Sequence, residues 1–217
     1  GIDDIQGLLP FEKKATIEKN ITEDVNNSID TTNFGDHLTL KGKNILRIGF
    51  QNIGGLPTER NRFKDDLLRI GINKFEFDIF GLTELNVDWR NIPEESRLYS
   101  RTRHWWESLH IALANNCTSN SREPHQYGGS SLLSIGKASH RVIGKGLDPT
   151  QLGRWVWVRY RGRNNHTLRI FSAYRPNPPS RGPLTVYAQH RLHFNNSNDD
   201  RCPRKAFLED LCQSIQE

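Results

Sequence analysis

The spacing of apolar and polar positions changes character along this chain, and the changes mark its elements. Residues 1–43 carry weak helical periodicity and then a polar run, NNSIDTTNFGDH, which reads as a leader and linker too poor in apolar side chains to order itself. Organisation begins at Asn44, and residues 44–217 form the folded part. ILRIGFQ is a short β-rich apolar run of the kind a sheet buries on both faces. After GGLP, the stretch TERNRFKDDLLRIGINKF sets Phe63, Leu67, Leu68 and Ile70 at helical spacing. Thr58 stands where an N-cap belongs, and Gly71 offers a stop signal. FDIFGLTE is a second apolar run, closing at Thr83-Glu84. Strand, helix and strand in this order predict a βαβ unit with two parallel strands.

Residues 86–127 are harder to divide. WWESLHIAL fits a helix or a strand, and NNCTSNSREPHQ reads as a long polar loop. From Gly128 the period becomes two: SSLLSIGK, RWVWVRYRG and TLRIFSAY are strand candidates, and GRNNH suits a hairpin turn between the last two. In RWVWVRY, Trp155 and Trp157 share one face while Val156 and Val158 share the other; core packing is favoured over base stacking for the tryptophans. Residues 175–203, rich in Pro, Asn and Arg, read as loop. In PRKAFLEDLCQSIQE, Phe207, Leu208, Leu211 and Ile215 form one helical face behind Pro203. No internal repeat is visible.

Composition narrows the class. A chain of 217 residues admits one large α/β domain or a small domain with a tail. No run approaches the roughly 18 apolar residues of a membrane span, and GIDDIQGLLPFEKK lacks the apolar core of a signal peptide. The start at Gly1 and the absence of Met lead us to expect an internal piece of a larger polypeptide. Cys117, Cys202 and Cys212 form no CxxC pair, so reduced intracellular thiols are expected, and the N-x-S/T sequons read as by-products of an Asn-rich sequence. Net charge is +5, unevenly spread: residues 1–43 hold 8 acidic and 5 basic side chains, the remainder 17 and 25. A basic domain behind an acidic leader fits a polyanionic partner such as nucleic acid, and equally a basic enzyme with scattered surface arginines.

Three polar residues close apolar β runs: Asn52, Glu84 and Tyr174. Open α/β sheets gather functional groups at such ends. An amide oxygen and a carboxylate are hard donors suited to Mg²⁺, with Mn²⁺ as a possible substitute. Tyr174 opens YRPNP, which holds a phenol and the Asn177 amide three residues apart on a Pro-stiffened turn, where both can hydrogen-bond a phosphate. Singly, each has an ordinary reading: a turn-forming Asn before Gly-Gly, a solvated or capping Glu. His104 and His110 flank WWESL with Glu107 between, and ordinary polar positions are favoured there over a metal site.

In their order, GFQN, GLTEL, the glycine-led GGSSLLS and Tyr174-x-Pro176-Asn177 resemble the endonuclease/exonuclease/phosphatase superfamily, and the last motif resembles its apurinic/apyrimidinic endonuclease branch. The resemblance covers about residues 45–217 and implies a four-layer α/β sandwich, incomplete at its C-terminus. It implies Asn52 and Glu84 as Mg²⁺ ligands and Glu84, Tyr174 and Asn177 as catalytic residues at the phosphate. Within the superfamily, FQNIGGLPTERNRFKDDL looks most like the nuclease domains of LINE-type non-LTR retrotransposons. This implies a DNA endonuclease that nicks target DNA, a reverse transcriptase in the same polypeptide, no membrane, and an intracellular, nuclear location. Arg154, Arg159, Arg161 and Arg175 are candidates for DNA phosphate contacts. Two departures stand out. Gly54 replaces an Asp found in some members, and the family's Asp-x-Asn, later Asp and closing Asp-His motifs lie downstream of the last helix; Asp199 and Asp200 precede it. The chain alone is therefore expected to be inactive and, with a long sheet edge exposed, poorly soluble. The alternatives are a non-catalytic basic nucleic-acid-binding remnant and a phosphatase or phosphodiesterase of the same superfamily.

Overall fold

The computed structural model describes residues 40–58, 62–118, 125–178, 182 and 184–217; the greater part of the expected leader lies outside them. The βαβ unit forms as its spacing requires. Strand β1 (Ile48–Asn52) leads through helix α1 (Phe63–Lys74) into β2 (Ile79–Thr83), and the strands pair in parallel with Ile48 opposite Ile79 and Asn52 opposite Thr83. WWESLHIAL resolves into strand: a short helix α2 (Leu98–Thr102) precedes β3 (Leu109–Ala114), which pairs antiparallel with β4 (Ser130–Ile135). The first sheet runs β1-β2-β4-β3. The second is an antiparallel meander of β5 (Val142–Leu147), β6 (Trp155–Arg161) and β7 (Thr167–Ala173). Its last turn is the expected hairpin, with Asn164 and Asn165 both at positive φ.

The sheets lie face to face. Ile79, Ala112, Ala114 and Leu132 of the first meet Val156, Val158 and Tyr160 of the second. Small residues let the layers approach, and at Gly81 a Cβ would stand 3.0 Å from the Ser172 hydroxyl across the interface. The opposite face of the first sheet, with Phe80, Leu82, Leu133 and Ile135, is covered by Leu68 and Ile72 of α1 and by the 85–98 segment. Outside the second sheet, α4 (Pro203–Gln216) sets Phe207 edge-on to Trp155, at 5.9 Å between centroids. The result is helix, sheet, sheet, helix: the α/β sandwich expected.

Several local expectations fail for physical reasons. ILRIGFQ is not buried on both faces. β1 is an edge strand, with Ile48 50% and Phe50 57% exposed. Helix α1 begins after Arg62 rather than at Thr58, and it runs through Gly71. A mid-helix glycine costs about 1 kcal/mol, which burial of Leu68 and Ile72 outweighs. The 175–203 stretch contains a helix, α3 (Val186–Asn196), capped by Thr185 and burying Val186, His190 and Phe194 at four-residue spacing. On α4, Leu208 and Ile215 are largely exposed, so only part of its expected apolar face is used. β5 carries too weak a pattern to be read; its Gly146 leaves room for Trp157, whose ring would lie 2.3 Å from a Cβ there.

Arg154, a candidate for DNA contact, is 1% exposed. Its guanidinium donates to Asp148 (2.7 and 2.9 Å), to Asp210 of α4 (2.9 Å) and to Thr150 (3.1 Å), and it lies 4.4 Å from the Trp155 ring. No polyanion reaches it. Removing one partner of a buried pair strands the other charge, at a cost of about 3–5 kcal/mol. Arg154→Ala should lose stability of that order in urea unfolding, whereas Arg161→Ala, on the exposed end of β6, should change it by less than about 0.5 kcal/mol.

Candidate active site

Polar side chains gather where β1, β2 and β7 end. Past Asn52 the chain turns along β2's exit: the N–H groups of Ile53, Gly55 and Leu56 donate to the carbonyls of Thr83 (3.1 Å), Glu84 (2.7 Å) and Leu85 (2.8 Å). Gly54 at φ +55 and Gly55 at φ +100 make this path possible. The Asn52 side-chain oxygen accepts from the Gly54 N–H at 3.1 Å, so Asn52 is indeed a turn former, and it is exposed. On the other side, Asn86 and Gly128 exchange two bonds of 2.9 and 2.8 Å. Residues 84–86 are thus held from both flanks.

That grip supports an unusual backbone. Glu84 and Asn86 both occupy the left-handed region, at φ 52 and 53, which costs a non-glycine residue about 1–2 kcal/mol. The consequence is directional. Phe80 and Leu82 point to the helix-side core, and unbroken alternation would send Glu84 the same way. The left-handed turn re-aims it toward the other sheet, where its carboxylate meets the Tyr174 phenol. Tyr174 is fixed by its N–H, which donates to the Arg154 carbonyl at 2.8 Å, and β7 is tied to β2 by the Ser172 hydroxyl on the Leu82 carbonyl at 3.3 Å. Burial first, then the hydrogen bond and charge of Glu84, push the phenol well above its ordinary value. It therefore stays protonated, and a donor, at any physiological pH. Asn52 shares the face of Phe50, whose ring lies against Gly81 on the inter-sheet side.

The remaining candidates divide. Asn177 and Arg175 are exposed on the turn after Tyr174, with buried Pro176 anchored by Arg204 on its carbonyl at 3.4 Å. Arg161 is exposed, and Arg159 lies half-buried with its guanidinium 5.5 Å from the Trp157 ring. Of the tryptophans, Trp155 packs in the core as expected, fully buried, whereas Trp157 is only partly buried and lies between Arg159 and Arg169. His104, Glu107 and His110 do not assemble, and no group of three or more His, Cys, Asp or Glu gathers as a metal cluster among the described residues. One positioning residue escaped the sequence reading. Lys64, early in α1, donates to the carbonyls of Ile53 (2.9 Å) and Gly55 (2.8 Å) and clamps the turn behind Asn52. Its only signal was a lysine in the first turn of a helix, where the dipole disfavours a cation.

A hard divalent ion is what such a donor set would take. A single carboxylate and an amide oxygen are hard ligands, and Mg²⁺ commonly takes one or two carboxylates, filling its shell with water and phosphate. Glu84, half-buried at the mouth of the inter-sheet layer, and exposed Asn52 fit that habit.

No protein-family model matches the sequence, and no curated protein matches it. Among solved structures, the chain is similar to an endonuclease/exonuclease/phosphatase family protein from Leptotrichia buccalis C-1013-b, with a TM-score of 0.43 and 12% identity over 72% of this chain. The chain spans 65% of the length of that protein.

If Glu84 is strained for the sake of its side chain, relaxing the backbone should help folding. Glu84→Gly should leave thermal stability equal or raise it by up to about 1 kcal/mol, and Glu84→Val should lower it by about 1–2 kcal/mol. A loss in Glu84→Gly as large as that in Glu84→Val would contradict this.

Proposed function

We propose that this chain carries the metal- and phosphate-binding part of a Mg²⁺-dependent phosphodiester hydrolase acting on DNA. The observation that supports it is the re-aimed Glu84: a non-glycine residue in a costly backbone conformation, its carboxylate against Tyr174 and its strand paired to that of Asn52. Glu84 and Asn52 would hold the cation, which when bound polarises a phosphoryl oxygen and offsets charge developing in the transition state. Tyr174, kept protonated, gives its single O–H to Glu84, and would turn it to a phosphate oxygen once the cation takes that carboxylate. Asn177, three residues on along the Pro176-stiffened turn, offers a second donor. Arg175 and Arg161 supply exposed positive charge for the backbone of a duplex. The finer reading is a nicking endonuclease of a retroelement, working in the nucleus beside a reverse transcriptase of the same polypeptide; it rests on the FQNIGGLP and Tyr-x-Pro-Asn patterns.

Binding of a fluorescent DNA duplex with and without Mg²⁺ tests the proposal on this chain. Mg²⁺ should tighten binding, and Glu84→Gln should abolish that gain while leaving the salt-sensitive part. Any Mg²⁺-dependent nicking of supercoiled plasmid should be at least about 100-fold slower in Glu84→Gln. Equal Mg²⁺ dependence in wild type and Glu84→Gln would refute the proposal. A phosphoinositide headgroup that displaced the duplex at lower concentration than unlabelled DNA would transfer the same site to a phosphatase.

A further inference from the structure

A cleft of about 480 Å³ opens along β3, the edge of the first sheet farthest from Asn52. Its volume falls in the range of small-molecule sites, ~300–1,000 Å³. The floor is apolar: Leu109, Ile111 and Leu113 project from β3 on the helix-side face, beside buried Leu98 of α2. The polar groups are unbalanced. Trp89 lines the cleft at 4% exposure, yet its indole N–H has no partner among the described residues, and an indole nitrogen only donates. His110 brings a buried Nδ1 in the same condition. At the rim stand two exposed cations, Lys145 of β5 and Arg97 before α2. Arg97 uses its Nε on the Ile92 carbonyl at 3.3 Å, and Lys145 has no ion pair among the described residues. No Asp or Glu lines the cleft.

An apolar floor and a cationic rim, with no carboxylate lining the cleft, call for one kind of molecule. We propose that this cleft is a second binding site, for a small monocarboxylate with an aliphatic body. The aliphatic body lies on Leu109, Ile111 and Leu113, and the carboxylate sits at the rim between Lys145 and Arg97. Burial and the nearby Lys145 push the His110 pKa down, and the counter-charge comes from the rim cations. The site is independent of the phosphate site, since β2 and β4 separate the two edges.

Calorimetric titration with decanoate, decanol and decyltrimethylammonium, each below its micellar concentration, tests this directly. Decanoate should saturate at one equivalent. Decanol should bind about 10-fold or more weakly, and the ammonium should not bind, because charge-assisted hydrogen bonds are worth about one such decade. Lys145→Gln, at an exposed position that folding tolerates, should weaken decanoate about 10-fold and leave decanol unchanged. Decanol binding as tightly as decanoate, unaltered decanoate affinity in Lys145→Gln, or uptake without saturation would each overturn the assignment.

Discussion

The guanidinium of Arg154, closed off from solvent between two sheets' worth of structure and a helix, is the interaction on which the rest of this architecture depends. A buried charge is costly to desolvate and tolerable only when its donors are filled. Here the Nε and both Nη atoms find Asp148, Thr150 and Asp210, and Asp210 is in turn bonded by Arg201 at 2.7 Å. The same residue's carbonyl receives the Tyr174 N–H and lies 3.3 Å from the Ser130 hydroxyl of the first sheet. One arginine therefore joins the β5–β6 connection, the C-terminal helix, the start of β4 and the end of β7. His190 is pressed into this environment, and burial together with Arg154 lowers its pKa to about 3, so it adds no second charge.

The strained end of β2 stands on that base. A carboxylate at φ 52 persists only if its neighbours over-determine it, and they do: Gly55 and Leu56 bond one side of residues 84–86, Gly128 and Gly129 the other. Lys64 fastens the turn from α1. Tyr174, placed from Arg154, meets the redirected Glu84 from the facing sheet. The scaffold invests its hydrogen bonds in presenting one acid and one phenol to each other, beside an exposed amide.

How much of this was readable from residues follows from the range of each interaction. The βαβ unit, the hairpin at GRNNH and the helix behind Pro203 are local patterns, and they appear as spacing predicts. Glu84 and Tyr174 stand out in the sequence as strand ends, yet the left-handed turn that joins them belongs to a TEL segment with no glycine to announce it. Arg154 looked like its neighbours Arg159 and Arg161 because its burial depends on Asp148 and on Asp210, 56 residues on. β1 read as a fully buried strand because apolar content reports composition, whereas its edge position is a matter of topology. α3 was hidden among Pro, Asn and Arg because only three of its residues are buried.

Glu84, Asn52 and Tyr174 are proposed to form one cation-and-phosphate site. Titrating ¹⁵N-labelled protein with substoichiometric Mn²⁺ measures where a hard divalent ion sits. The amide signals of Gly54, Leu85 and Arg175 should broaden first, and the effect should vanish in Glu84→Gln. Broadening centred instead on Asp199, Glu209 and Asp210, or unchanged in Glu84→Gln, would contradict the account.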